Sequence, residues 1–134
     1  MKNFKKQFKD KKITVMGLGL LGRGAGDTAF LAECGANLIV TDLKNKKQLA
    51  NSIKILSKYK NITYRLSEHK LEDFRNRDFI LKSAGVPINS PYLLEARKNG
   101  IKIEMSASLF AKVSKIPIIG ITGTRGKSTV THLL

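Results

Sequence analysis

One unit constrains this chain more than any other: an apolar run, a glycine loop and a helical pattern, in that order, from Ile13 to Cys34. Ile13-Thr-Val-Met16 is apolar and β-branched and reads as a buried strand. Gly17-Leu-Gly-Leu-Leu-Gly22 then fills every position of G-x-G-x-x-G. Arg23 to Cys34 follows with helical character and stops at Gly35, the residue type preferred just past a helix end. A strand of this kind is buried only if further strands lie beside it in parallel with helices packed over them.

The following segments supply those partners. Leu38 to Thr41 reads as a second strand. Lys46 to Tyr59 carries Leu49, Ile53 and Leu56 at the spacing of one helix face. Ile62 to Leu66 alternates as a third strand and Phe79 to Leu81 as a short fourth. Pro91 to Asn99 reads as a helix with Ser90 as N-cap, Pro91 in its first turn and Gly100 beyond its end. Ile101 to Glu104 is a fifth strand, and Ser106 to Val113 a short helix. The expected fold is α/β: a Rossmann-like open parallel sheet of about five strands with helices on both faces.

The first glycine loop also carries chemistry. Asp42 closes strand two, 20 residues beyond Gly22. Glycines for a tight turn, a helix N-terminus for a pyrophosphate and an acidic residue for a sugar or base make the dinucleotide fingerprint. A plainer possibility is that the glycines only allow close helix–strand packing and Asp42 is a turn residue. Ser83-Ala-Gly-Val-Pro87 follows strand four, so it faces the same carboxyl-end crevice, unless it is an ordinary turn.

A second loop lies near the C-terminus. Ile116 to Ile121 reads as a buried strand, Thr122 to Gly126 as a tight loop, and Lys127 to Leu134 as the first turns of a helix. That is the context of a phosphate-binding loop, in which backbone N–H groups and a helix dipole converge on an anion. Gly126-Lys127-Ser128 matches the second half of G-x-x-x-x-G-K-[ST], while Ile121 stands in the first glycine position. Lys127 is expected on the β/γ-phosphates of ATP, and the Ser128 hydroxyl on Mg²⁺. A loop of this kind opens an ATP-binding domain, so the expected boundary lies near Ser114-Lys115. The expectation is a first domain over 1–114 and the start of a truncated ATPase domain over 115–134.

Composition excludes several classes. The chain has 134 residues, one Cys and no long apolar run, so neither a disulfide framework nor a transmembrane helix is expected. Lys-rich residues 1–12 before an apolar run resemble a signal peptide, but the glycines and the missing cleavage site favour a first strand. The net charge of +15 is spread over scattered lysines with few aromatics between them, which favours a solvated surface over a nucleic-acid partner. His69 and His132 have no metal-like partner in sequence and read as surface or packing residues. Cys34 reads as core, and Glu68, Glu72 and Asp73 read as solvated charges.

A glycine-loop domain followed by a phosphate loop resembles the Mur ligases of peptidoglycan biosynthesis. The resemblance rests on Gly17-Leu-Gly-Leu-Leu-Gly22, Asp42, Ser83-Ala-Gly-Val-Pro87, Gly100-Ile-Lys-Ile-Glu104 leading to Ser108-Leu-Phe110, and Ile121-Thr-Gly-Thr-Arg-Gly-Lys-Ser-Thr129. It spans nearly the whole chain from Lys12, and the Thr-Gly-Thr-x-Gly-Lys-Ser-Thr form accounts for the missing first glycine. The D-glutamate-adding branch is the one it looks most like. The resemblance implies UDP-N-acetylmuramoyl-L-alanine and D-glutamate as substrates and ATP and Mg²⁺ as cofactors. It also implies a monomeric cytoplasmic enzyme serving cell-wall biogenesis, with neither membrane nor nucleic acid as partner.

Carried over by position, Gly19, Leu20, Leu21 and Gly22 would line the UDP site, Asp42, Leu43 and Lys44 would meet the uracil, and Ser83, Ala84 and Gly85 would close over the nucleotide. Gly123, Thr124, Arg125, Gly126, Lys127, Ser128 and Thr129 would hold ATP. Lys127 and Ser128 are the expected catalytic residues, with Ser128 on the metal. The chain departs from the family pattern at Leu21, where a hydroxyl residue is common, at Leu43-Lys44, at Ala84 and at Arg125. By this reading the chain is the front end of the ligase and forms no amide bond by itself. An NAD-dependent oxidoreductase would explain Gly17 to Asp42 but not Gly123 to Ser128. A Mur-family ligase of different specificity and a basic nucleic-acid-binding module complete the set of competing functions.

Overall fold

The computed structural model describes residues 2–20, 22–114 and 116–133, and for residues 2–4 the backbone alone. Its centre is β1 (Lys12–Met16), which pairs in parallel with β2 (Asn37–Asp42) on one side and β4 (Phe79–Lys82) on the other. β3 (Ile62–Leu66) extends the sheet beyond β2, and β5 (Lys102–Glu104) extends it beyond β4. The order is β3-β2-β1-β4-β5 with every pairing parallel. The chain therefore reverses its direction of travel across the sheet between β1 and β4.

Strand alternation builds two cores from one sheet. Ile13, Val15, Leu38, Val40 and Leu81 point to one face, where they meet α2 (Arg23–Glu33) through Leu31 and Ala32 and α3 (Ala50–Leu56) through Leu56. Met16 and Ile80 point to the other face, against Phe74 of a 3-10 turn (Leu71–Phe74) and Leu93 and Ala96 of α4 (Pro91–Lys98). Each large side chain buried in this way contributes about 1.5–3 kcal/mol.

Local signals explain most ends. Gly35, at φ 86°, terminates α2 as expected, with its N–H on Ala32 O and that of Ala36 on Leu31 O. Pro91 opens α4 as expected, but the Ser90 side chain makes no cap bond; only its carbonyl accepts, from Leu94 N–H. The helix expected over 46–59 is shorter. Asn45 and Gln48 exchange side-chain-to-backbone bonds at 3.0 Å, a reciprocal cap that turns the chain before α3 begins.

The Lys-rich leader adds an element for which no expectation was made, and two expectations fail. The Lys-rich leader contains a helix, α1 (Lys2–Phe8), anchored where Phe8 packs edge-on against Phe30 and Phe79. Asp73 is buried rather than solvated, because Arg65 of β3 reaches its carboxylate at 3.1 Å. Ile116 to Ile121 forms no strand, since no neighbouring strand pairs with it, and Ile116, Ile118 and Ile119 are exposed. α5 (Ser106–Ser114) runs from β5 towards this segment.

Candidate functional site

A cavity of about 540 Å³ opens at the carboxyl ends of the strands, where the strand order reverses between β1 and β4. In open α/β sheets this is where ligands sit, because the loops on either side diverge and leave a cleft. Its walls come from the loop after β1 with the first turns of α2, the end of β4 with the loop after it, and Met105 with the first turn of α5 (Ser106–Ser114).

The two loops fit together through an absent side chain. Gly17 (φ 90°) lies so close to Ser83 that a Cβ would collide with the Ser83 hydroxyl. Backbone bonds lock the junction: Gly17 N–H donates to Thr41 O at 2.9 Å, and Ser83 N–H to Met16 O at 2.9 Å. Gly24, in the first turn of α2, is held against the loop in the same way, and a Cβ there would strike the Leu18 carbonyl. Gly19 and Gly22 have open space but positive φ. Gly17 thus answers to both close packing and positive φ, Gly19 and Gly22 to positive φ alone, and a second close-packing glycine, Gly24, lies outside the motif.

Asp42 has a clear task. The residue is 4% exposed, and its carboxylate accepts from Gly19 N–H at 3.1 Å and Lys44 N–H at 2.9 Å. It ties the glycine loop to the end of β2, and the Lys44 ammonium lies 4.0 Å away. Leu20 and Leu43 are more than half exposed. Of the residues expected to hold a UDP ligand, Gly19, Leu20, Ser83 and Ala84 line the cavity, whereas Gly22, Asp42, Leu43, Lys44 and Gly85 do not. Leu21 lies outside the described residues.

The cavity also recruits residues that the motifs did not indicate: Arg23, Asp27, Lys82 and the Met105–Ala107 stretch. Arg23 could have been suspected, since it directly follows Gly22 at the start of α2. Among the described residues its guanidinium has no hydrogen bond or ion pair, so it is available beside the positive end of the helix. Asp27 is engaged, accepting from the Ser106 hydroxyl and so joining α2 to α5 across the cleft. No local pattern marks Met105–Ala107, which reach the cavity only because β5 lies beside β4.

Neighbouring titratable groups are held by packing. Burial pushes the His69 imidazole below its ordinary value, against the upward pull of Asp42 and Asp73. Its Nδ1 lies 2.6 Å from the Thr41 hydroxyl, and its ring meets Phe74 and Tyr92 edge-on. Burial raises the Glu104 carboxyl, but hydrogen bonds from Lys112 and Ser108 outweigh it and leave the group below the usual range.

The second loop is separate. Gly123, Thr124, Arg125, Gly126, Lys127, Ser128 and Thr129 are exposed, and none of them lines the cavity. α6 (Lys127–Leu133) follows directly but buries no residue. The Lys127 ammonium donates to Gly123 O at 2.5 Å and so spans the loop. For Mg²⁺ this segment offers the Ser128 and Thr129 hydroxyls, and among the described residues no cluster of three acidic, His or Cys groups forms. The donors present fit a metal held largely by phosphate oxygens and water rather than one caged by protein.

Comparison with known proteins places this geometry. A family model described as Mur ligase MurD-like, N-terminal domain, matches residues 11–104. The UDP-N-acetylmuramoylalanine–D-glutamate ligase of Treponema pallidum is 41% identical over 125 residues, covering 92% of this chain and 24% of its own length. That of Borreliella burgdorferi is 42% identical over 129 residues, covering 96% and 28%. Among solved structures, a pseudomurein peptide ligase type C from Methanothermus fervidus superposes with a TM-score of 0.59 at 28% identity, over 89% of this chain and 24% of that one. The chain therefore spans about a quarter of the length of the curated relatives it matches. From the glycine loop to β5, this chain belongs to the Mur ligase family, in its MurD-like N-terminal domain.

Proposed function

We propose that residues 1–114 bind the UDP portion of UDP-N-acetylmuramoyl-L-alanine, and that residues 115–134 begin the ATP-binding domain of a D-glutamate-adding ligase. The observation that carries this reading is the cleft at the β1/β4 reversal, in which Gly17 packs on Ser83 and the α2 N-terminus opens beside Arg23. Backbone N–H groups, a helix dipole and a guanidinium suit a diphosphate. Leu20, which lines the cavity, and the exposed Leu43 after β2 offer apolar surface to a base. Asp42 acts through the loop that it ties down, and the Lys44 ammonium is the cation beside it.

In the reaction of the whole enzyme, the substrate carboxylate attacks the γ-phosphate of ATP and ADP leaves. The D-glutamate amine then attacks the acyl phosphate, an amide forms, and phosphate and a proton are released. Lys127 neutralises charge on the transferring phosphoryl group, and Gly123 to Gly126 supply backbone donors to the phosphates. Mg²⁺, with Ser128 as the donor this chain offers, supplies further charge neutralisation when bound. An enzyme on this route to peptidoglycan works in the cytoplasm.

Calorimetric titration with UDP, UDP-N-acetylmuramoyl-L-alanine and NAD tests the reading. Binding of both uridine nucleotides and no binding of NAD is expected. Binding of NAD without UDP would replace the ligase with an oxidoreductase. The 134 residues alone are expected to release no ADP on addition of D-glutamate.

A further inference from the structure

Lys82, the last residue of β4, is 7% exposed, and among the described residues no carboxylate pairs with it. An ammonium is costly to bury unless its protons are taken up. Here the Nζ donates to Ser83 O and to Val86 O, each at 3.0 Å. Those carbonyls stand at the two ends of one turn, which Val86 N–H closes onto Ser83 O at 3.2 Å. An apolar residue at this strand position would be buried without such a cost, so the lysine is there for the turn.

The turn is the cavity wall. Ser83 and Ala84 line the cleft, and the Ser83 side chain occupies the space that Gly17 leaves empty. Both carbonyls are drawn onto the ammonium, and Ser83 lies against the glycine loop. Charge-assisted bonds of this kind are roughly twice as strong as neutral ones.

We propose that Lys82 is a positioning residue for the nucleotide cleft: its ammonium clasps the Ser83–Val86 turn and presets the wall that closes on the ligand. The proposal rests on the nucleotide reading above for its ligand, but not for the clasp itself.

The test uses Lys82→Met, which keeps the length and apolar stem, and Lys82→Arg, which keeps the charge and donors. UDP affinity is measured by calorimetry and the Val86 amide by native-state hydrogen exchange, with the Val15 amide of β1 as reference. Lys82→Met is expected to weaken UDP binding on the order of tenfold to a hundredfold, because part of the lost ordering of the turn must then come out of the binding energy. It is expected to speed Val86 exchange at least about tenfold while Val15 stays protected. Lys82→Arg is expected to recover most of both. Unchanged Val86 protection would overturn the clasp, whether or not UDP binding falls. Equal loss of protection at Val15 would also overturn it, since Lys82 would then support the whole fold. If the wild-type chain itself fails to bind UDP, the nucleotide reading falls, and Val86 exchange alone decides the clasp.

Discussion

Gly24→Ala and Gly26→Ala form a matched pair two residues apart on α2. Alanine is the better helix former by about 1 kcal/mol at either site, and neither glycine has positive φ. At Gly26 a Cβ meets nothing, so the substitution should stabilise the chain by up to about 1 kcal/mol. At Gly24 the new Cβ would strike the carbonyl of Leu18, which is backbone and has no rotamer to escape into. To restore van der Waals distance, α2 must retreat by about an ångström from the loop. That retreat loosens Ala25, Leu31 and Ala32, all nearly solvent-free in the core. Overpacking of this kind costs about 1–3 kcal/mol, which cancels or outweighs the propensity gain and leaves a net loss of about 0–2 kcal/mol. Urea denaturation should separate the two variants by roughly 1–3 kcal/mol, or about 4–12 °C in thermal midpoint for a chain of this size. UDP binding should weaken only in Gly24→Ala, because the same retreat drags the helix N-terminus from the cleft. If Gly24→Ala proves as stable as Gly26→Ala, the close contact between α2 and the glycine loop is not what requires a glycine there.

Arg23→Gln is expected to weaken UDP binding about tenfold, leave uridine binding unchanged and flatten the salt dependence, as titrations at two ionic strengths would show. His69 resists protonation in the fold because of its burial, so the unfolded chain takes up the proton more readily. Stability should therefore be complete above about pH 6.5 and fall as the pH drops from there towards the lowered folded value. NMR titration of the imidazole should find it below its ordinary range, and His69→Gln should remove that part of the acid sensitivity. The Asp78 carboxyl is held low chiefly by its hydrogen bond from Lys11, with Lys12 N–H adding to it. Its contribution should persist above about pH 4 and disappear below that, and Asp78→Asn should show the smaller change between pH 5 and pH 3 in denaturation experiments. The amides of Ile118, Ile119 and Ile121, which donate to no described carbonyl, should exchange at near-unprotected rates; strong protection would mean that the segment pairs with another surface.

Several details of the site were beyond sequence reasoning for one physical reason: they depend on what lies across the sheet. Asp42 was legible as a functional position, but not that its carboxylate would be taken up by Gly19 and Lys44 N–H. Asp73 sits among charged residues in sequence, and only the strand neighbour Arg65 makes its burial possible. The α1 helix has a lysine-rich sequence with little pattern of its own, and Phe8 settles it by finding Phe30 and Phe79. The strand expected at Ile116–Ile121 has the right composition, but a strand exists only through a partner.

The sequence alone determined the order of the strands and α-helices from β1 to α5, the parallel α/β architecture and the two glycine loops. Apolar periodicity, β-branching and glycine or proline punctuation act over a few residues and are visible in a one-dimensional string. Only the tertiary structure decided which glycines are there for space and which for φ, which residues from three separate loops share one cleft, and that Lys82 is clasped beneath a turn. Those are contacts between segments distant in sequence, set by the strand order β3-β2-β1-β4-β5, and no local pattern encodes them.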